Sequence, residues 1–161
     1  RLLRTAMAAK PDCALAKKTW RVLIGVKVPD KEFRALEKIA SDTGGIIVER
    51  ARGDFPTLLM NCALSISQGG YNTLMECMHA GARSIVVPYA GGLETEQTLR
   101  AELLAKQGAI LTLPERQLTP ARLVVAIDGA LAMTPTAAGI RTEGATVSAT
   151  KIVAWADALD W

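Results

Sequence analysis

The chain has 161 residues, half of them apolar and 22% charged, with a net charge of +3. That suffices for one domain with its own core, and the charge is too small to point to nucleic acid. No apolar run approaches the roughly 20 residues of a membrane span, and residues 1–18 lack the continuous apolar segment of a signal peptide. Strand-like and helix-like segments then alternate. RLLRTAMAAK spaces Leu2, Leu3, Ala6 and Met7 as one helical stripe. Residues 20–28 (WRVLIGVKV) are rich in β-branched side chains and stop at Pro29-Asp30, which predicts a strand. Phe33, Leu36, Ile39 and Ala40 form the stripe of a second helix, ended by Gly44-Gly45. Residues 46–50 read as a strand, and Asp54 is placed to cap a short helix over 56–61. Residues 63–67 read as a third strand, 71–80 as a helix closed by Gly81, and 83–88 as a fourth strand. A helix over 94–107 is closed by Gly108, and 109–113 make a fifth strand. Thr119-Pro120 joins an N-cap to an N1 proline and opens a helix to about residue 131. After a linker over 134–139, a last helix covers about 145–159.

This alternation predicts a single α/β domain over 1–161, a Rossmann-like parallel sheet with helices on both faces. In the 3-2-1-4-5-6 strand order, strand one is central and a glycine-rich loop follows it. Here the chain opens on a helix. That strand and its loop are expected upstream of Arg1, filling a place between 22–28 and 63–67, in a longer two-domain protein. Cys13, Cys62 and Cys77 have neither CxxC nor metal-ligand spacing, which suits a reducing compartment rather than a disulfide frame or zinc. The first 21 residues hold six Lys or Arg and one Asp. A solvated helix flank is the plain reading of that bias, ahead of a lipid or RNA contact.

SISQGGYNTLMEC, residues 65–77, carries the chemistry. Parallel sheets bind ligands at the carboxyl ends of their strands. Gly69 and Gly70 lie there without side chains, so a phosphate can approach the backbone. The following helix presents unpaired N–H groups and a partial positive charge, and Asn72 and Thr73 add side-chain donors. Glu76 shares the Thr73 face, while Leu74, Cys77, Met78 and Gly81 fall on the core stripe. A carboxylate one turn below a diphosphate seat is suited to a ribose, whose two vicinal hydroxyls donate to it. The plain alternative is a tight turn followed by a surface glutamate, and the chain has neither GxGxxG nor a P-loop.

Beyond this stretch, residues 67–113 resemble the donor-binding half of GT-B glycosyltransferases. The resemblance is to family 28, the group that includes the enzyme adding GlcNAc to lipid-linked peptidoglycan precursor. It rests on Gly70, Thr73, Glu76, Gly81, Pro88, Glu96, Gln97, Ala101, Gly108 and Ala109, with LTPARLVVAI and EGATVSATKIV resembling the family's tail. It implies a nucleoside diphosphate sugar, usually UDP-linked, with diphosphate at Gly69, Gly70 and Thr73 and ribose at Glu76. Donor-sugar hydroxyls would be read by Glu96 and Gln97, the loop over 89–93 would lie beside the sugar, and the uracil edge would meet backbone near Arg50 to Arg52. Arg100 stands where the family often has Asn, Gln68 where small residues are common, and Arg83 where Pro is frequent. These departures bear on which sugar is bound more than on the fold.

The expected function is donor binding in an inverting, metal-independent hexosyltransferase, with no cofactor. The general base and acceptor would come from an N-terminal domain or a separate acceptor subunit, so this fragment alone is expected to be inactive. The family implies a cytoplasmic protein at the inner face of the membrane. A UDP-GlcNAc 2-epimerase on the same frame and a stand-alone donor-binding subunit are the alternatives. His79, the one histidine, lies in the last turn of its helix, where the dipole favours it, and away from the strand edge. Cys77, Met75 and Met78 read as packing residues, and Trp155 and Trp161 as an apolar end-patch.

Overall fold

In a computed structural model, which describes residues 1–89, 91, 95–134 and 144–158, strands and helices alternate in the expected order. They are α1 (Leu2–Ala9), β1 (Trp20–Ile24), α2 (Asp30–Thr43), β2 (Ile46–Arg50), α3 (Phe55–Met60) and β3 (Ser65–Ser67). Then follow α4 (Tyr71–His79), β4 (Ser84–Val86), α5 (Glu96–Lys106), β5 (Leu111–Thr112), α6 (Pro120–Ala132) and α7 (Gly144–Asp157). Residues 94 and 159, in two of the expected helices, lie outside the described residues, as do 135–139 of the expected linker.

Every strand pair is parallel, but the strands fall into two groups. β1 pairs with β2, with Val22 opposite Val48. β3, β4 and β5 form the second group, with Ile85 opposite Ile66 on one side and Leu111 on the other. Among the described residues β1 and β3 share no ladder. A break at this place is what the strand order led us to expect.

Side-chain alternation along β4 builds two cores. Ile85 and Val87 pack with Leu123 and Ile127 of α6 and with Leu2 and Ala6 of α1. Val86 faces the other way, into Leu74 and Cys77 of α4 and Ala101 and Leu104 of α5. α1 also spans the break: its Met7, with Leu3 beside it, belongs to a third cluster with Val22, Ile24 and Leu36. A helix with two apolar stripes thus joins the two strand groups.

Helix ends follow local chemistry. Gly81 (φ 62°) and Gly108 (φ 70°) take the left-handed conformation after α4 and α5. There Ala82 N–H bonds Cys77 O and Ala109 N–H bonds Leu104 O, which satisfies terminal carbonyls. Thr119 Oγ1 accepts from Arg122 N–H and caps α6 as expected. Two expectations need correction. β1 ends at Ile24, not residue 28, because the Arg50 guanidinium draws in the carbonyls of Gly25 (3.3 Å) and Val28 (2.6 Å) and holds the segment as a turn. Asp54 occupies the N-cap of α3 but its side chain makes no cap bond, since Arg52 engages both carboxylate oxygens (2.8 and 2.7 Å).

Candidate functional site

α4 and α5 both begin at the carboxyl edge of the three-stranded group, after β3 and β4. The two glycines before α4 are there for different reasons. Gly69 has φ 84°, and a Cβ built on it would lie 2.6 Å from Val86 Cγ1, so the turn itself demands glycine. Gly70 has an ordinary φ of −55°, and a Cβ there would meet nothing within 4 Å. It is the N-cap of α4, and no side chain caps the helix. The first intrahelical bond runs from Leu74 N–H to Gly70 O (3.0 Å). The N–H groups of Tyr71, Asn72 and Thr73 therefore precede the ladder and face an open mouth with the positive end of the dipole. Asn72 is exposed and Thr73 half-buried in the same turn.

The Glu76 side chain sits half-buried one turn in, with no hydrogen bond or ion pair among the described residues. The core stripe beside it is as expected: Leu74, Cys77 and Met78 are buried. Burial holds the Cys77 thiol above its ordinary pKa, against the pull of hydrogen bonds with Ser65 and Ser84. A feature that sequence reasoning missed lies just before the turn. Among the described residues, Ser67 Oγ is buried without a hydrogen-bond partner. Ser65, two residues earlier on the same face, accepts from the Cys77 thiol (3.6 Å), which puts the Ser67 hydroxyl on the α4 side, next to the turn. A small residue ending a strand carries no sequence signal for this.

At α5, Gln97 Oε1 accepts the Tyr89 N–H (3.3 Å). That ties the first turn of α5 to the loop after β4. Glu96 forms an ion pair with Arg100 one turn on, and Arg100 Cζ lies 5.1 Å from the centre of the Tyr71 ring. The starts of α4 and α5 are thus in contact. Of the loop expected beside the sugar, Tyr89 and Gly91 are described, while residues 90, 92 and 93 lie outside the described residues.

Beyond β2, the side chains are engaged with protein. Arg50 bonds Asp30 (2.6 Å) besides the two carbonyls, and Arg52 bonds Asp54 and Glu49 (3.1 Å). These contacts, the hydrogen bond to Asp54 foremost, hold the Arg52 guanidinium above its ordinary range, and the same bond pulls the Asp54 carboxyl below its own. The backbone beside these pairs is open at Gly53, where a Cβ would meet nothing within 4 Å.

His79 is exposed in the last turn of α4, at the opposite end from Gly70. Met75 and Met78 pack in the α4 core as expected. Trp155 is exposed on α7, and Trp161 lies outside the described residues. Among the described residues no group of His, Cys, Asp or Glu is placed to hold a metal, and no helix is long and apolar enough to cross a membrane.

Residues 34–153 match the family model described as "Glycosyltransferase family 28 C-terminal domain". One relative is the UDP-N-acetylglucosamine–N-acetylmuramyl-(pentapeptide) pyrophosphoryl-undecaprenol N-acetylglucosamine transferase of Rhodopseudomonas palustris. It is 32% identical over 136 residues, which are 81% of this chain and 36% of the relative. The transferase of the same name from an Exiguobacterium species is 35% identical over 99 residues, or 62% of this chain and 28% of the relative. The chain thus spans about a third of the length of the curated relatives it matches. Among solved structures, Acinetobacter baumannii MurG superposes with a TM-score of 0.64 at 18% identity, covering 85% of this chain and 52% of that one. The glycotransferase of kitacinnamycin gives 0.58 at 18% identity over 78% of this chain and 30% of that one. At these identities the structural likeness concerns the fold.

Proposed function

The chain belongs to the family of glycosyltransferase family 28 C-terminal domains, and from that membership we propose that it binds the nucleotide-sugar donor of an inverting, metal-independent glycosyltransferase. The observation that carries this reading is the open mouth of α4, where among the described residues no side chain caps the helix and a Cβ on Gly70 would meet nothing within 4 Å. Three N–H groups and the helix dipole there suit a diphosphate. The relatives are named for UDP-N-acetylglucosamine, and a UDP-linked sugar is the donor proposed here. Glu76, unpaired and one turn inside, would accept from the ribose hydroxyls, with the base against the backbone beyond β2. The sugar would face Glu96 and Gln97.

In the proposed reaction an acceptor hydroxyl oxygen forms a bond to the anomeric carbon. The bond from that carbon to the β-phosphate oxygen breaks, the hydroxyl proton passes to a general base, and UDP leaves. The α4 mouth would stabilise the charge that develops on the leaving diphosphate, as an oxyanion hole does for its oxyanion. The base and the acceptor site belong in this reading to an N-terminal domain or a separate acceptor subunit, working at the cytoplasmic face of the membrane.

Calorimetric titration tests this reading. UDP should bind equally well with and without EDTA, and a strict magnesium requirement would contradict the metal-free seat. Glu76→Ala should weaken UDP and the UDP-sugar alike, by about ten- to a hundredfold, for loss of a charged hydrogen-bond partner worth about 1.5–3 kcal/mol. Unchanged UDP affinity in a folded Glu76→Ala protein overturns the ribose assignment.

A further inference from the structure

The mouth of α4 does not by itself balance the charge of a diphosphate. The positive end of a helix dipole is equivalent to roughly half an elementary charge, whereas both phosphates are anions. When the bond to the anomeric carbon breaks, the electron pair stays on the β-phosphate oxygen and adds a further negative charge. In the metal-free site proposed above, a side-chain cation has to meet that charge. Arg50 and Arg52, at the end of β2, are already engaged by Asp30 and by Glu49 and Asp54. Arg100 is placed differently. Its Cζ lies 5.1 Å from the centre of the Tyr71 ring, and Tyr71 is the first residue of α4, next to Gly70. Its ion pair is with Glu96, one helical turn before it, and the two members are unequally sheltered. The Arg100 side chain is 19% exposed and that of Glu96 74% exposed. The guanidinium is therefore the fixed member of the pair and the carboxylate the member turned to solvent.

We propose that Arg100 is the cation that meets the β-phosphate of the donor, and that Glu96 is its stand-in partner, which the phosphate displaces. This inference rests on the donor-binding reading of the site. Exchange of partners is favourable for three reasons. An ion pair with one member as exposed as Glu96 is weak, because water screens it and solvates the released carboxylate. A phosphate offers the guanidinium two oxygens in the fork geometry and a larger charge than a carboxylate. The ring of Tyr71 holds the guanidinium by its face, a contact that survives the exchange and keeps the cation at the start of α4. Arg100 then adds a full positive charge to the partial one of the helix mouth, on the phosphate where the leaving charge develops. In the empty site Glu96 competes with the phosphate, so the two residues act on nucleotide affinity with opposite signs.

The experiment is calorimetry with UMP and UDP on the wild-type chain, on Arg100→Gln, on Glu96→Gln and on the double variant, with thermal midpoints to confirm folding. The two nucleotides differ by the β-phosphate and carry no sugar, so the comparison reads that phosphate alone. Arg100→Gln should weaken UDP about tenfold and leave UMP within about twofold. Glu96→Gln should tighten UDP about two- to fivefold, the strength of the exposed pair that it removes, and leave UMP unchanged. In the Arg100→Gln background the same substitution should have lost its effect, because Glu96 acts through Arg100. Raising the salt concentration should weaken UDP more in the wild type than in Arg100→Gln. Equal losses of UMP and UDP in Arg100→Gln would show a general role in holding the site and overturn the proposal. So would weaker UDP binding by Glu96→Gln, or tightening that persists without Arg100. Glu96→Gln alters a mostly exposed side chain, so it decides the question even if Arg100→Gln fails to fold. All these outcomes leave UDP binding by the wild type intact. If the wild type fails to bind UDP, the donor-binding reading itself falls, and this inference with it.

Discussion

The β3–β4–β5 group and the β1–β2 group are built from the same kind of strand, yet they are finished differently. β4 is buried along its whole length, with α1 and α6 against one face and α4 and α5 against the other. β1 and β2 have α1 and α2 on one face. Their other face carries Arg21, Glu49 and a 41%-exposed Ile47. There Arg21 and Arg52 share the Glu49 carboxylate (2.6 and 3.1 Å). Parallel strands are stable when helices cover both faces. The covered group carries the open mouth of α4 and the start of α5 at the ends of its strands. At the carboxyl edge of the half-covered group the Arg50 and Arg52 side chains are already paired with protein.

This contrast can be broken most forcefully in the core. Leu74→Ala, at a fully buried position under the α4 mouth, should cost about 2–5 kcal/mol. Ile47→Ala on the open face should stay within about 0.5 kcal/mol. Urea denaturation of both variants checks this, and equal losses would mean that the open face is covered in solution. The next largest effect separates the two glycines. Gly69→Ala forces a side chain into a left-handed residue and against Val86, and should lower stability by about 1–3 kcal/mol. Among the described residues, the added Cβ of Gly70→Ala meets nothing within 4 Å. The substitution should leave the thermal midpoint nearly unchanged while weakening UDP binding, a dissociation that a purely structural turn would not produce.

Smaller effects sharpen the picture of the open face. Arg21→Ala removes one partner of a partly exposed ion pair and should cost at most about 1 kcal/mol, less at high salt. Denaturation at low and high ionic strength measures it. The smallest effect is a pH dependence set by Cys77. Its folded pKa is raised by burial, so the native state keeps a proton that the unfolded state gives up first. That contribution is fully present below the ordinary thiol value of 9.0 and is lost as pH rises towards the folded value. Stability should therefore fall with alkaline pH above 9.0, and Cys77→Ala should flatten the fall relative to wild type.

The sequence by itself determined where the helices and most strands lie, because periodicity and end signals are local. Ile46–Arg50 forms the strand that its residues predict. Gly81 and Gly108 close α4 and α5, and Thr119 caps α6. The core stripe of α4 and the open mouth at Gly70 were legible for the same reason. Only the tertiary structure decided what depends on residues far apart in the chain. Val26 and Val28 favour a strand, but Arg50, more than 20 residues on, takes the carbonyls of Gly25 and Val28 and ends β1 early. The separate reasons for Gly69 and Gly70 emerge only once Val86, from the neighbouring strand, is placed beside one of them. The orphaned Ser67 hydroxyl and the Arg100 contact with Tyr71 likewise arise from strands and helices meeting in space. Hydrogen bonds and close packing are short-ranged, so a partner that folding brings near can override a local preference while leaving no mark on the neighbouring sequence.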